Sequence, residues 1–219
     1  MKRTILMGVA LTLMVIAPVW SQTDPLTPFT KDENTVLLLH FDGDYTNESD
    51  SSADPTIHTD DPARMTFVTH GADDLSGFGS YLQLDNSDTA ARSYLAIADT
   101  AALDLTGAFT IECWAYIEEF GVEGDPYYFP AFVNKPTADN WVTSNYRMAV
   151  LSAENSVWGY YSKSGGHVIA NTPFIAQEGD WFRYTLIRDT TANKFRYIIH
   201  SRDGKVFFYK DVDITPSGE

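Results

Sequence analysis

A chain of 219 residues with 30 acidic against 15 basic side chains, a formal net charge of −15 at pH 7, repels phosphate backbones, which argues against nucleic acid as a partner. Its single cysteine, Cys113, excludes an internal disulfide. The length suits one domain behind a processed leader, and 44% hydrophobic residues suffice for a packed core.

The first segment has the layout of an export signal over residues 1–21. Met1-Lys2-Arg3 is a basic start, Ile5 to Ile16 is a short apolar run, and Val19-Trp20-Ser21 precedes an expected cut ahead of Gln22. A bilayer span needs about 20 apolar residues. This run is shorter and is followed by Pro18, so a secreted or cell-surface location is expected, with no membrane insertion after cleavage. Residues 22–34 read as a polar leader, and the domain is expected over 35–219.

Beyond the leader the chain reads as all-β, because short runs rich in β-branched and aromatic residues recur at even spacing between turn residues. Strands are expected over Thr35–Phe41, Met65–Thr69, Ser80–Leu84, Tyr94–Ile97, Phe109–Ile117, Phe129–Asn134, Tyr146–Leu151, Val157–Tyr161, His167–Ala170, Trp181–Arg188, Lys194–His200 and Lys205–Val212. Arg202-Asp203-Gly204-Lys205, Ser164-Gly165-Gly166 and Ala192-Asn193 supply turn chemistry between them. The acidic, polar stretch from Asp42 to Asp61 is expected to be a surface loop. Within Phe109 to Ile117 the alternation is strict: Phe109, Ile111, Cys113, Ala115 and Ile117 take one face, expected to be core. Thr110, Glu112, Trp114 and Tyr116 take the other, expected to be a surface.

Catalytic patterns are missing from the sequence. It has no H-E-x-x-H, no G-x-S-x-G and no phosphate-binding G-x-x-x-x-G-K-[ST], and its five histidines are scattered without ligand spacing. Two other kinds of site are suggested. Asp42 and Asp44, with Asp50 six residues beyond, gather carboxylates on one loop, and hard cations such as calcium take oxygen ligands of that kind. The spacing fails as an EF-hand, which needs Gly at its sixth position and Glu at its twelfth. Exposed aromatics beside planar polar groups suit carbohydrate, whose flat C–H faces stack on rings. Trp114 and Tyr116 share one strand face, Trp158 and Tyr160 share another, and Trp141 precedes Arg147 across a loop. These six are the candidate carbohydrate-binding residues.

The run from Tyr94 to Ile117, with Asp104-Leu105-Thr106-Gly107 ahead of Phe109-Thr110-Ile111-Glu112, resembles the laminin-G-like domains of the concanavalin-A-like lectin/glucanase superfamily. Weaker matches follow in order: Leu37 to Gly43, Ser80 to Asp85, Phe132 to Lys135, Tyr146 to Val150 and Trp181 to Leu186. The resemblance implies a two-sheet antiparallel jelly-roll sandwich that acts as a non-catalytic carbohydrate-binding or adhesion module, with a polysaccharide or glycoprotein glycan as its partner. It also makes calcium a possible cofactor. Family members close with a further strand that pairs beside the first one. Here that strand is expected to be absent, since the sequence stops at Pro216-Ser217-Gly218-Glu219, and a module that is part of or derived from a larger surface protein is expected. One alternative is a glycoside hydrolase of the same superfamily, whose carboxylate pair would have to join Glu112 to a distant residue such as Glu154. The other is a structural spacer that recognises protein.

Overall fold

The computed structural model describes residues 10–14, 27–50, 54–71, 75–85, 93–105, 107–118, 131–136, 144–151, 156–161, 166–171 and 178–213. Among them the regular structure is almost entirely antiparallel β-sheet, and the helical elements are single 3₁₀ turns. Among the described residues no helix is long and apolar enough to cross a membrane.

The strands are β1 (Ala10–Met14), β2 (Thr35–Leu39), β3 (Thr56–Thr59), β4 (Met65–Thr69), β5 (Ser80–Leu84), β6 (Ser93–Ala96), β7 (Phe109–Tyr116), β8 (Ala131–Pro136), β9 (Ser144–Leu151), β10 (Ser156–Tyr161), β11 (Gly166–Asn171), β12 (Trp181–Asp189), β13 (Lys194–Ser201) and β14 (Val206–Asp213). A six-stranded sheet has the order β14-β13-β12-β7-β1-β2, and a four-stranded sheet has the order β11-β10-β9-β8. Two hairpin-sized sheets pair β3 with β6 and β4 with β5.

Two of these strands were not foreseen. The stretch 42–61 is not loop throughout, because Thr56-Ile57-His58-Thr59 pairs antiparallel with Ser93 to Ala96. This run has β-branched residues at three of its four positions but is too short for its alternation to stand out. The second is β1, drawn from the apolar run of the leader and paired on both edges, with β2 on one side and β7 on the other.

The main core lies between the six-stranded and four-stranded sheets. Ile111 and Cys113 of β7, Phe182, Tyr184 and Leu186 of β12, and Phe195, Tyr197 and Ile199 of β13 meet Phe132 of β8 and Tyr146 and Met148 of β9. Phe132 lies 4.7 Å from Tyr184 and Phe109 lies 6.2 Å from Tyr146, ring centre to ring centre. Cys113 is fully buried here, and burial followed by the neighbouring Glu112 charge pushes its thiol well above the ordinary range. A thiol held neutral in that way packs as a small apolar group.

A second core covers the opposite face of the six-stranded sheet and overturns the expectation that Thr110, Glu112 and Trp114 form a surface. Phe29, Leu38, Leu75, Phe78, Trp114 and Trp181 pack together, with Tyr81 and Tyr116 partly buried against them. β7 is therefore covered on both faces. The covering residues Phe29, Leu75 and Phe78 lie outside the strands, in segments with no periodicity to announce them. Phe29 falls within the stretch read as a polar leader and is buried all the same.

Candidate functional site

Two arrangements stand out, one closed and one on a sheet face. The closed one is polar and lies within the second core. Alternation along β12 sends Phe182, Tyr184 and Leu186 into the main core and places Trp181, Arg183 and Thr185 on the other face. The register sets Thr185 opposite Glu112 and Arg183 opposite Trp114. Arg183 Nη2 donates to Glu112 Oε1 at 2.7 Å, and Thr185 Oγ1 donates to the same oxygen at 2.9 Å. The Arg183 guanidinium also lies over the Phe29 ring, 5.0 Å from its centre. Relative exposure is 0% for Arg183 and 3% for Glu112. A pair sealed in this way fixes the register of β7 against β12 and is closed to substrate.

His200 borders the pair, opposite Arg183 in the β12–β13 register. Burial, then the Arg183 charge, lowers its affinity for a proton below that of an ordinary histidine. The unfolded chain thus protonates first as pH falls. The contribution of His200 to stability is complete above the ordinary histidine value of about 6.5 and is lost as pH drops below it. Substituting His200→Gln should flatten the fall in urea midpoint between about pH 7.5 and 5.5 relative to the parent. An unchanged slope would mean that the imidazole is free to protonate in the folded state.

The arrangement on the sheet face belongs to the four-stranded sheet. Tyr146 and Met148 are buried in the main core, so position 147 between them lies on the opposite face. The register places Arg147 opposite Asn134 of β8 and opposite Tyr160 of β10, and Tyr160 opposite His167 of β11. Positions 134, 147, 160 and 167 thus form one row across all four strands, and Asn134 at the β8 end is exposed. Trp158, two residues from Tyr160, stands in the neighbouring row with Ala149 and Ile169. Sheet geometry puts facing positions about 5 Å apart and positions 158 and 160 about 7 Å apart along the strand.

This sheet is anchored from its core side. Lys135 Nζ of β8 bonds Asp99 at 2.8 Å and Asp104 at 2.7 Å, tying the strand to the segment between β6 and β7. The adjacent Tyr146 phenol is pushed up by burial and then by these two carboxylates, so it remains neutral.

The six candidate carbohydrate residues therefore separate. Positions 147, 158 and 160 fall on one face of one sheet. Trp114 is only 1% exposed and sits edge-on to Phe78, ring centres 5.8 Å apart, so it offers no ring face to a ligand. Tyr116 packs 5.6 Å from Trp181 at the margin of the same core. Trp141 lies outside the described residues, as does Glu154, the second carboxylate of the hydrolase alternative.

The three proposed calcium ligands are each engaged separately. Asp42 accepts from the Ser80 backbone N–H at 2.9 Å, Asp44 accepts from that of Thr46 at 2.9 Å, and Asp50 pairs with Lys31 at 3.0 Å. The first of these contacts is close enough that a Cβ at Gly79, whose φ is +71°, would run into the Asp42 carboxylate. Among the described residues no group of three or more Asp, Glu, His or Cys is placed to hold a metal ion. Asp42, Asp44 and Asp50 each brace the loop through these separate contacts.

No family model, no curated protein and no solved structure matches the chain. Sequence reasoning missed the Glu112–Arg183–Thr185 group. Its signal was an arginine set between Phe182 and Tyr184, in a strand that also holds Trp181 and Leu186.

Proposed function

We propose that this chain is a secreted or cell-surface, non-catalytic carbohydrate-binding or adhesion module, built as a two-sheet jelly-roll sandwich of the laminin-G-like, concanavalin-A-like kind. Its partner is a polysaccharide or a glycoprotein glycan, and the module is part of or derived from a larger surface protein. The observation that carries this reading is the row Asn134, Arg147, Tyr160 and His167 on the non-core face of the four-stranded sheet, with Trp158 alongside.

The chemistry of that row suits a sugar chain. Tyrosine and tryptophan supply faces for the C–H side of a pyranose ring, while amide, guanidinium and imidazole groups supply directed partners for hydroxyls. A row that crosses strands at right angles gives an extended ligand successive contacts at fixed spacing. The strand backbone positions these residues more firmly than a loop would. Glycan stacking needs no general acid, and the carboxylate that the hydrolase alternative would use, Glu112, is committed to Arg183 and Thr185.

Affinity electrophoresis through gels containing soluble polysaccharides tests the reading. At least one polysaccharide should retard the protein, and Tyr160→Ala or Arg147→Ala should each weaken retention by about tenfold, the effect of removing one central contact. Unretarded migration in every polysaccharide, or retention unchanged in both variants, would refute it. Release of new reducing ends from the retained polysaccharide would turn the assignment to the glycoside hydrolase.

A further inference from the structure

The apolar run that reads as an export signal also supplies a strand in the interior of the six-stranded sheet. Leu11, Thr12 and Leu13 stand opposite Leu39, Leu38 and Leu37 of β2 on one edge, and opposite Cys113, Glu112 and Ile111 of β7 on the other. These roles exclude each other, because a segment threaded through a membrane and cut away cannot stay paired on both edges. β1 runs antiparallel to both neighbours, so β2 and β7 run parallel to one another. Without β1 they stand two strand spacings apart, about 9.6 Å.

The rims of that gap are unsuited to water. Leu37, Leu38, Leu39, Ile111 and Cys113 are all buried, and the N–H and C=O groups that face β1 would lose their partners. The rims cannot readily close on each other either. β7 is held on its other edge by β12 through eight register pairs and the Glu112–Arg183 bond.

We propose that the position between β2 and β7 is an exchangeable strand site. Ala10–Met14 holds it in the full chain, and once the leader leaves it accepts an extended strand from a second polypeptide. The occupant runs antiparallel to β2 and β7. It carries large aliphatic residues at the positions facing Leu39/Cys113 and Leu37/Ile111, and small or hydroxyl residues at those facing Trp114 and Glu112. Ala10-Leu11-Thr12-Leu13 itself has this pattern. Recognition is by main-chain hydrogen bonds on two edges, with side-chain alternation as the specificity element.

The test begins with the full chain carrying a sequence-specific protease site between Ser21 and Gln22, so that the strand can be detached after folding. A fluorescein-labelled peptide of residues 8–16, with a lysine tail for solubility, is then added in excess. The nicked protein should take up the label and the uncut protein should not. The same peptide carrying Leu11→Asp and Leu13→Asp should bind about a hundredfold more weakly, since each substitution sets a carboxylate opposite buried apolar residues, Leu39 and Cys113 or Leu37 and Ile111. Hydrogen exchange at residues 37–39 and 111–113 should be slow with the peptide bound and fast once the strand has dissociated.

Three outcomes would overturn the proposal. The nicked protein could keep its own strand indefinitely against excess peptide, which would make β1 a permanent part of the sheet. It could lose the strand while residues 37–39 and 111–113 stay protected and no peptide binds. It could also precipitate on losing the strand without rescue by the peptide.

Discussion

Replacing Glu112 by alanine is expected to cost about 3–5 kcal/mol of folding stability, a large part of the roughly 5–15 kcal/mol that a domain possesses. The effect follows from what the substitution leaves behind. Glu112 accepts from both Arg183 and Thr185, so its removal strands a fully buried guanidinium with no other ion-pair partner among the described residues. No other acceptor is ready to take over, since Arg183 Nε and Nη1 already have no hydrogen-bond partner among the described residues. Glu112→Gln keeps an acceptor oxygen but loses the charge and should fall between parent and alanine. The double variant Glu112→Leu with Arg183→Met removes both charges at similar volume and should recover most of the loss. Urea unfolding checks this through the shift in midpoint at unchanged m-value. A loss below about 1 kcal/mol for Glu112→Ala would mean that the guanidinium reaches water, contrary to its burial.

How much of this was legible in the sequence depends on which property is read. The existence of β7, β12 and β13 was plain, because Phe109 to Tyr116, Trp181 to Asp189 and Lys194 to Ser201 alternate over eight or nine residues. Alternation separates two faces but does not say which one meets solvent. In β7 both are covered, and the covering side chains Phe29, Leu75 and Phe78 come from outside the strands, Phe78 from a single 3₁₀ turn. The expected exposure of Trp114 failed for that reason. β1 was hidden differently: an apolar run of this length satisfies an export signal and a buried strand equally well, and only pairing partners separate the two.

The sheet-face row shows the complementary limit. Trp158 and Tyr160 could be grouped from their spacing alone, because positions two apart share a face in any strand. The pairing of Tyr160 with Arg147, and of Arg147 with Asn134, depends on register. Register is set by the connections between strands, and a slip of one residue would move Arg147 to the core side. The buried Tyr146 and Met148 make that slip costly, so the apolar positions of β9 determine where its arginine is presented.

Trp114→Ala and Trp158→Ala, compared side by side, are expected to separate core from ligand contact. Trp114 is almost fully buried between Phe78 and the second-core residues around it, so truncation should leave a cavity and cost about 3–5 kcal/mol. Its effect on polysaccharide retention should vanish once retention is normalised to the folded fraction, because the indole touches no ligand. Trp114→Phe keeps most of the volume and should recover much of the stability. Trp158 lies on the face opposite the core, where substitutions typically change stability by about 0.5 kcal/mol or less. Retention should nevertheless weaken in Trp158→Ala, since a stacking face is lost while the fold is kept. Unfolding midpoints and gel retardation measured on the same two proteins give both quantities. A stable Trp114→Ala protein would contradict the second core, whereas an unstable Trp158→Ala protein with normal retention per folded molecule would move Trp158 from the binding face to a packing role.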